Sequence, residues 1–143
     1  MKKYTYVGVY ALIKKADKIL LIEKSRGPYI GKLDLPGGGF EFGESSLETL
    51  HREVKEETGL TVKEANLVDV LSQTTVYTNQ DNEEKTIHHI GVIYKVEVEP
   101  NEDKLKDFAD GEDSLGAKWV EISSLNKDGV SPFVGRGIEY LID

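Results

Sequence analysis

The sequence predicts an α/β fold in which helices pack on a central mixed β-sheet. Three observations support this class. Apolar runs of strand length precede residue 24 and recur after residue 61. A helix signature lies between these two groups of strands, and a second one follows the last strand-like segment. We therefore expect the strands to form one sheet on which the two helices are packed.

The first two strands are predicted to form a hairpin. Residues 4–13 alternate and then run apolar, residues 15–18 form a turn, and residues 19–23 are a second short apolar run. Residues 24–34 lack such a pattern, so we expect them to form a loop.

The first helix is predicted over residues 46–58. Ser45 or Ser46 is suited to cap its first turn, and Gly59 stands where a helix would end. Three aliphatic residues at i, i+3 and i+7 form an apolar stripe that should pack on the core: Leu47, Leu50 and Val54. Three carboxylates occupy an arc of roughly 100° that begins at one edge of this stripe: Glu53, Glu56 and Glu57.

The rest of the chain supplies the remaining strands and the second helix. Residues 62–77 and 86–98 read as strands separated by a polar turn. A long acidic stretch over residues 100–118 precedes a strand through Trp119. Ser131 and the proline after it can start a final helix with an apolar side. The residues on that side are Phe133, Ile138 and Leu141.

Three glutamates on one side of a helix repel each other, and a divalent cation would reverse the sign of that interaction. Oxygen ligands favour Mg²⁺, with Mn²⁺ as the alternative, and the chain has no cysteine for a thiolate site. Arg52 is placed to pair with one of the carboxylates. The competing interpretation is an acidic surface of the helix that only contacts solvent.

A glycine-rich loop precedes this helix and favours the metal site over the solvated surface. Leu35 and Pro36 lead into three consecutive glycines, 37–39, which let backbone approach a ligand closely. Together the loop and helix resemble the Nudix box, G-x5-E-x7-R-E-U-x-E-E-x-G-U with U aliphatic. Every specified position is filled by Gly38, Glu44, Arg52, Glu53, Val54, Glu56, Glu57, Gly59 and Leu60.

This resemblance implies an α/β/α sandwich and a metal-dependent pyrophosphohydrolase. The implied substrate is a nucleoside diphosphate linked to another moiety, as in nucleoside triphosphates, nucleotide sugars and dinucleoside polyphosphates. The implied metal ligands are Glu53, Glu56, Glu57 and the carbonyl of Gly37, with Glu44 and Arg52 as supporting catalytic residues. We take Glu53 as the first candidate for the general base, although some relatives use a glutamate from a distant loop. Glu112, just before the Trp119 strand, is a further candidate metal ligand.

Substrate contacts are expected from residues outside the box. Arg26 and Lys24 precede the glycine loop and are suited to bind phosphates, although such loop cations often remain solvated. Tyr77 lies near the position at which dinucleoside polyphosphate hydrolases of the family carry a tyrosine. No proline follows the box by about fifteen residues, so one marker of ADP-ribose hydrolases is absent. The alternative to an enzyme is a nucleotide-binding sensor that has kept the fold and lost turnover.

Composition limits the remaining possibilities. A chain of 143 residues suits a single domain over residues 1–143. The net charge of −8 argues against binding of duplex nucleic acid. No apolar run approaches 18 residues and no signal peptide is recognised, so we expect a cytoplasmic protein without membrane contact. Its oligomeric state, monomer or homodimer, is left open.

His88 and His89 are adjacent in a strand and point to opposite faces, so we expect no shared metal site.

Overall fold

The computed structural model describes residues 2–100, 104–109 and 114–142. Within these ranges it contains strands β1 (Lys2–Lys15), β2 (Lys18–Lys24), β3 (Leu33–Asp34), β4 (Gly37–Gly39), β5 (Val62–Thr78), β6 (Glu84–Val98) and β7 (Ser114–Glu121). The helices are α1 (Ser46–Thr58) and α2 (Pro132–Gly137), and α2 continues as a 3-10 helix over Ile138–Leu141. Two further 3-10 turns span Ile122–Ser124 and Lys127–Gly129.

The strands form a mixed sheet with the order β3-β2-β1-β6-β5. At its centre, β1 and β6 run parallel over a long register from Lys2 opposite Lys85 to Ile13 opposite Val96. The neighbouring pairs are antiparallel, and β4 and β7 join as antiparallel partners of β1 and β2. The predicted hairpin of β1 and β2 is confirmed, and the two predicted strands β5 and β6 pair as antiparallel neighbours.

Apolar side chains of the sheet form two cores, each of which receives a helix. Leu50 and Val54 of α1 are fully buried in the first core, together with residues of β1, β2 and β6. Phe133 and Val134 of α2 are fully buried in the second core, which contains the alternate residues of β1 and β2. Successive strand residues point to opposite faces, so the two helices cover opposite faces of the sheet. The predicted α/β/α sandwich with a central mixed sheet is confirmed.

Local hydrogen bonds fix both ends of α1, and the predicted bounds of this helix are confirmed. The side chain of Ser45 accepts from the backbone N–H of Glu48 at 3.1 Å, and the Glu48 carboxylate accepts from the N–H of Ser45 at 2.9 Å. This capping box contributes about 1 kcal/mol to helix stability. Gly59 ends the helix with φ of 78°, a left-handed conformation that favours glycine.

Three predicted details of the fold are wrong. Leu47 is 47% exposed, because it lies in the first turn of α1, before the part of the helix that packs on the core. The predicted loop over residues 24–34 contains the last residue of β2 and all of β3, and the glycines after it form β4. These short strands exist because β3 pairs with β2 and β4 pairs with β1, and no local pattern in the sequence marks them. The last helix is shorter than predicted, since it tightens into the 3-10 form at Ile138.

Among the described residues, no helix is both long enough and apolar enough to span a bilayer.

Candidate active site

A cleft of about 910 Å³ lies beside α1, the helix that carries Glu53, Glu56 and Glu57. This volume is near the upper end of the range for small-molecule sites, roughly 300–1,000 Å³. One part of its lining comes from β4 and α1: Gly37, Gly38, Gly39, Glu53, Glu56 and Glu57. Another part is aromatic and comes mainly from β1, β6 and the segment after β2: Tyr4, Tyr6, Tyr10, Tyr29 and His89. The cleft therefore combines a carboxylate wall with an aromatic surface.

Arg52 organises the carboxylates around the glycine segment. Its Nε and Nη2 atoms donate to the two oxygens of Glu44, each at 2.8 Å. Its Nη1 atom donates to Glu53 at 2.8 Å and to Glu56 at 3.3 Å, and Nη2 also donates to the carbonyl of Gly39 at 3.0 Å. The planar guanidinium thus ties three glutamates to the backbone of β4.

These contacts shift the pKa values of both partners. Hydrogen bonds from Arg52, with further ones from the backbone of Glu41 and from Thr49, lower the pKa of Glu44 to about 2. The same pairing raises the pKa of Arg52 above its ordinary value. Glu44 is therefore ionised and acts as a fixed acceptor at neutral pH.

The glycine segment is held between β1 and α1. Gly37 pairs with Tyr10 of β1, and its N–H donates to Oε1 of Glu57 at 2.8 Å. Gly37 has φ of 146°, and a Cβ there would lie 2.0 Å from the carbonyl oxygen of Val9. A Cβ on Gly38 would lie 2.7 Å from the carboxyl carbon of Glu53. A side chain at Gly37 would collide with β1, and a side chain at Gly38 would collide with the Glu53 carboxylate, so the close approach of β4 to both neighbours depends on glycine.

The donor set fits a hard divalent cation. Carboxylates and a nearby backbone carbonyl are the oxygen ligands that Mg²⁺ and Mn²⁺ prefer. As they stand, no three Asp, Glu or His side chains in the described ranges converge to hold a metal ion. Arg52 donates hydrogen bonds to Glu53 and Glu56, and the Gly37 N–H donates to Glu57. A bound cation would have to compete with these hydrogen bonds.

The aromatic surface is built around His89, which is only 4% exposed. The hydroxyl of Tyr10 lies 2.6 Å from its Nε2 atom, and the hydroxyl of Tyr29 lies 2.9 Å from Nδ1. The rings of Tyr29 and His89 stack, with an interplanar angle of 21°. Burial, with the nearby charge of Lys24, lowers the pKa of His89 to about 4. His89 is therefore neutral at physiological pH and acts as a fixed hydrogen-bonding group.

The residues predicted to bind substrate are only partly brought together. Lys24 and Arg26 both line the cleft. Tyr77 lies outside the cleft lining, but its hydroxyl is 2.5 Å from that of Tyr4, which does line it. Glu112 lies outside the described residues. Glu44 and Arg52 stand behind the carboxylate wall and hold it in place.

Three charged or polar cleft residues were missed by reasoning from sequence. Asp34 is buried and accepts hydrogen bonds from the Leu35 N–H at 2.8 Å and from Ser131 at 2.6 Å, which ties the glycine turn to the start of α2. An aspartate between two leucines signals such a buried acceptor. His89 is one of the alternate residues of β6 whose side chains are buried. Strand alternation alone does not show that these side chains reach the cleft. No pattern in the sequence indicates that Lys106 lies at the cleft.

Comparison with known proteins places this geometry in a family. Residues 3–140 match the model of the NUDIX domain. The ADP-ribose pyrophosphatase of Methanocaldococcus jannaschii is 34% identical over 132 residues, which cover 89% of this chain and 71% of that protein. A probable DHNTP pyrophosphohydrolase of Lactococcus lactis is 40% identical over 99 residues, covering 68% of this chain and 57% of the relative.

A solved structure shows the same fold over the whole length. The MutT NUDIX hydrolase of Burkholderia pseudomallei superimposes with a TM-score of 0.76 and covers 97% of this chain and 99% of that one, at 21% identity. Fold, box geometry and family match agree, and the chain belongs to the Nudix family of hydrolases.

Proposed function

We propose that this enzyme hydrolyses the diphosphate linkage of a nucleoside diphosphate joined to another moiety, and that Mg²⁺ is its metal ion. One observation carries the proposal: α1 and β4 place Glu53, Glu56 and Glu57 on one wall of a cleft whose other surface is aromatic. A metal ion held by the carboxylate wall would bind the phosphates, and the aromatic surface could contact a nucleobase or similar ring.

The proposed metal ligands are Glu53, Glu56, Glu57 and the carbonyl oxygen of Gly37. A divalent cation bound there would neutralise phosphate charge and favour attack by water at phosphorus. Glu53 is the candidate general base because its carboxylate lines the cleft and stands against Gly38, where no side chain intervenes. Arg52 and Glu44 have positioning roles, since they fix the carboxylates without lining the cleft themselves.

ADP-ribose is the first compound to test, because the archaeal relative that carries this name aligns over most of the chain. DHNTP, an oxidised-base nucleoside triphosphate, a nucleotide sugar and a dinucleoside polyphosphate complete the panel. Each compound is incubated with Mg²⁺ or Mn²⁺ and its products are separated. No cleavage of any member with either metal would contradict the proposal and favour a nucleotide-binding sensor.

Glu57→Gln provides the matching test of the site. It removes one carboxylate charge while keeping the size of the side chain, so we expect it to abolish metal-dependent hydrolysis and to leave the thermal unfolding midpoint close to that of the wild type. Glu64→Gln on β5, which changes an exposed glutamate outside the cleft, should retain full turnover. Unchanged turnover of Glu57→Gln would show that the assigned wall is not the site of hydrolysis.

A further inference from the structure

Lys106 lies on a short segment, residues 104–109, that packs over the carboxyl end of α1. Its backbone N–H donates to the carbonyl of Thr58 at 2.7 Å, and its own carbonyl accepts from the N–H of Ala117 on β7 at 2.9 Å. A Cβ on Gly59 would come within 2.0 Å of the Lys104 carbonyl oxygen, so the segment sits directly on the helix end. The backbone at Lys106 is therefore fixed between α1 and β7.

The side chain of Lys106 reaches from this position into the cleft lining. It lines the cleft together with Glu56 and Glu57. Its Nζ atom donates to the backbone carbonyl of Glu56 at 3.1 Å and lies 5.8 Å from the ring centre of Phe108. Lys106 is thus a cation that contacts α1 and also lines the cleft.

A lysine at a helix carboxyl end has an ordinary structural explanation, because cations there interact favourably with the last carbonyls. Lys55 meets that description fully. Its Nζ atom donates to the Gly59 carbonyl at 3.2 Å and to the Thr61 hydroxyl at 3.3 Å, and it is absent from the cleft lining. The two lysines share one capping role at the same helix end, and they differ in access to the cleft.

We propose that Lys106 binds a phosphate oxygen of the substrate, exchanging the Glu56 carbonyl for the phosphate when substrate enters. This inference rests on the proposed function. Among the described residues, four carboxylates and three cations line the cleft, so a polyphosphate brings further negative charge to a surface that is already acidic. A hydrogen bond between an ammonium and a phosphate is stronger than one to a neutral carbonyl, which favours the exchange. The four-carbon stem of lysine allows the ammonium to move while the fixed backbone stays in place.

The test compares Lys106→Met, Lys106→Arg and Lys55→Met with the wild type on the compound that the panel shows to be cleaved. Loss of a charged hydrogen bond should lower kcat/KM of Lys106→Met by about 10- to 100-fold, mainly through a higher KM. Lys55→Met should stay within about twofold of the wild type, and Lys106→Arg should recover most of the loss because it keeps the charge. Equal behaviour of the two methionine variants would overturn the proposal.

Binding of tripolyphosphate with Mg²⁺, measured by calorimetry, separates this inference from the proposed function. We expect the Kd to rise about tenfold or more in Lys106→Met and to be unchanged in Lys55→Met. This measurement does not need turnover, so a wild type that cleaves nothing would contradict the proposed function while the Lys106 contact could still be established. An unchanged Kd in Lys106→Met, or a loss that Lys106→Arg fails to restore, would overturn the contact.

Discussion

The guanidinium of Arg52 holds both carboxylate oxygens of Glu44, with Nε 2.8 Å from Oε2 and Nη2 2.8 Å from Oε1. The two residues are eight positions apart, one in α1 and one in the loop before it. Nη1 of the same guanidinium reaches Glu53 at 2.8 Å. The position of Glu53, a proposed metal ligand, therefore depends on the paired hydrogen bonds between Arg52 and Glu44, which lie outside the cleft lining.

Arg52→Lys should disrupt the paired hydrogen bonds to Glu44, although it keeps the positive charge. An ammonium cannot hold Glu44 at two oxygens and Glu53 at the same time with the planar geometry of a guanidinium. Because groups that orient metal ligands affect metal affinity and activity by about 10- to 100-fold, we expect a loss in that range. The measurement is hydrolysis as a function of Mg²⁺ concentration.

Arg136→Lys is the matched control for that substitution. Arg136 donates to the carbonyl of Ser72 at 2.7 Å on the exposed side of α2, so its replacement should leave the Mg²⁺ dependence unchanged. Equal Mg²⁺ dependence of Arg52→Lys and the wild type would contradict the positioning role of Arg52.

Gly38→Ala should damage activity more than stability. The added Cβ would meet the carboxylate end of Glu53 at 2.7 Å, and a flexible side chain can move away at low cost to the fold. A displacement of about 1 Å at a reacting group can cost about 100-fold in rate, so we expect kcat to fall by tenfold or more. Gly129→Ala, where no atom lies within 4 Å of the added Cβ, serves as the control. A normal kcat in Gly38→Ala would argue against Glu53 as a catalytic group.

The features that sequence predicted well are those set by neighbours in the chain. Both capping residues of α1 lie within a few positions of the backbone groups that they bond. The sequence therefore predicts the helix correctly, with its caps at Ser45 and Gly59. The arc of glutamates follows from helix geometry alone. Leu47 was misplaced, because periodicity gives the direction of a side chain but not where along the helix the core begins.

The features that sequence missed depend on long-range pairing. Strand β4 exists because its glycines pair with β1, and a run of glycines has no strand propensity of its own. His89 meets Tyr29 across 60 positions of sequence. Lys106 contacts Glu56 across 50 positions. The parts of the cleft that would select a substrate are assembled by such contacts, so the box predicted the chemistry and left the substrate open.

Ser45→Ala tests how much the capping box contributes to the stability of α1. The substitution removes the acceptor for the Glu48 N–H, so the free energy of unfolding should fall by about 1 kcal/mol. Urea unfolding measures this change, and Ser123→Ala in an exposed 3-10 turn is the comparison. A decrease no larger than that of Ser123→Ala would show that the helix start is held by tertiary contacts instead.

His89 should make the stability of the protein depend on pH between about 6.5 and 4. Its pKa is lowered to about 4 by burial, from an ordinary value of 6.5, so the unfolded chain binds more protons than the folded one in this window. The free energy of unfolding therefore falls as the pH decreases through the window, with a slope of at most about 1.4 kcal/mol per pH unit. Below about pH 4 this residue is protonated in both states and its contribution no longer changes.

His89→Gln isolates this effect. At pH 7 the variant should be less stable by about 1–3 kcal/mol, because the hydroxyls of Tyr10 and Tyr29 lose partners of the right geometry. Since glutamine does not titrate, the difference in unfolding free energy between wild type and variant should shrink as the pH falls from 6.5 to 4. Glu44, with a pKa of about 2, is present in both proteins, so its effect cancels in the difference. Urea unfolding at several pH values measures both curves, and parallel curves over this range would show that His89 is not held neutral by burial.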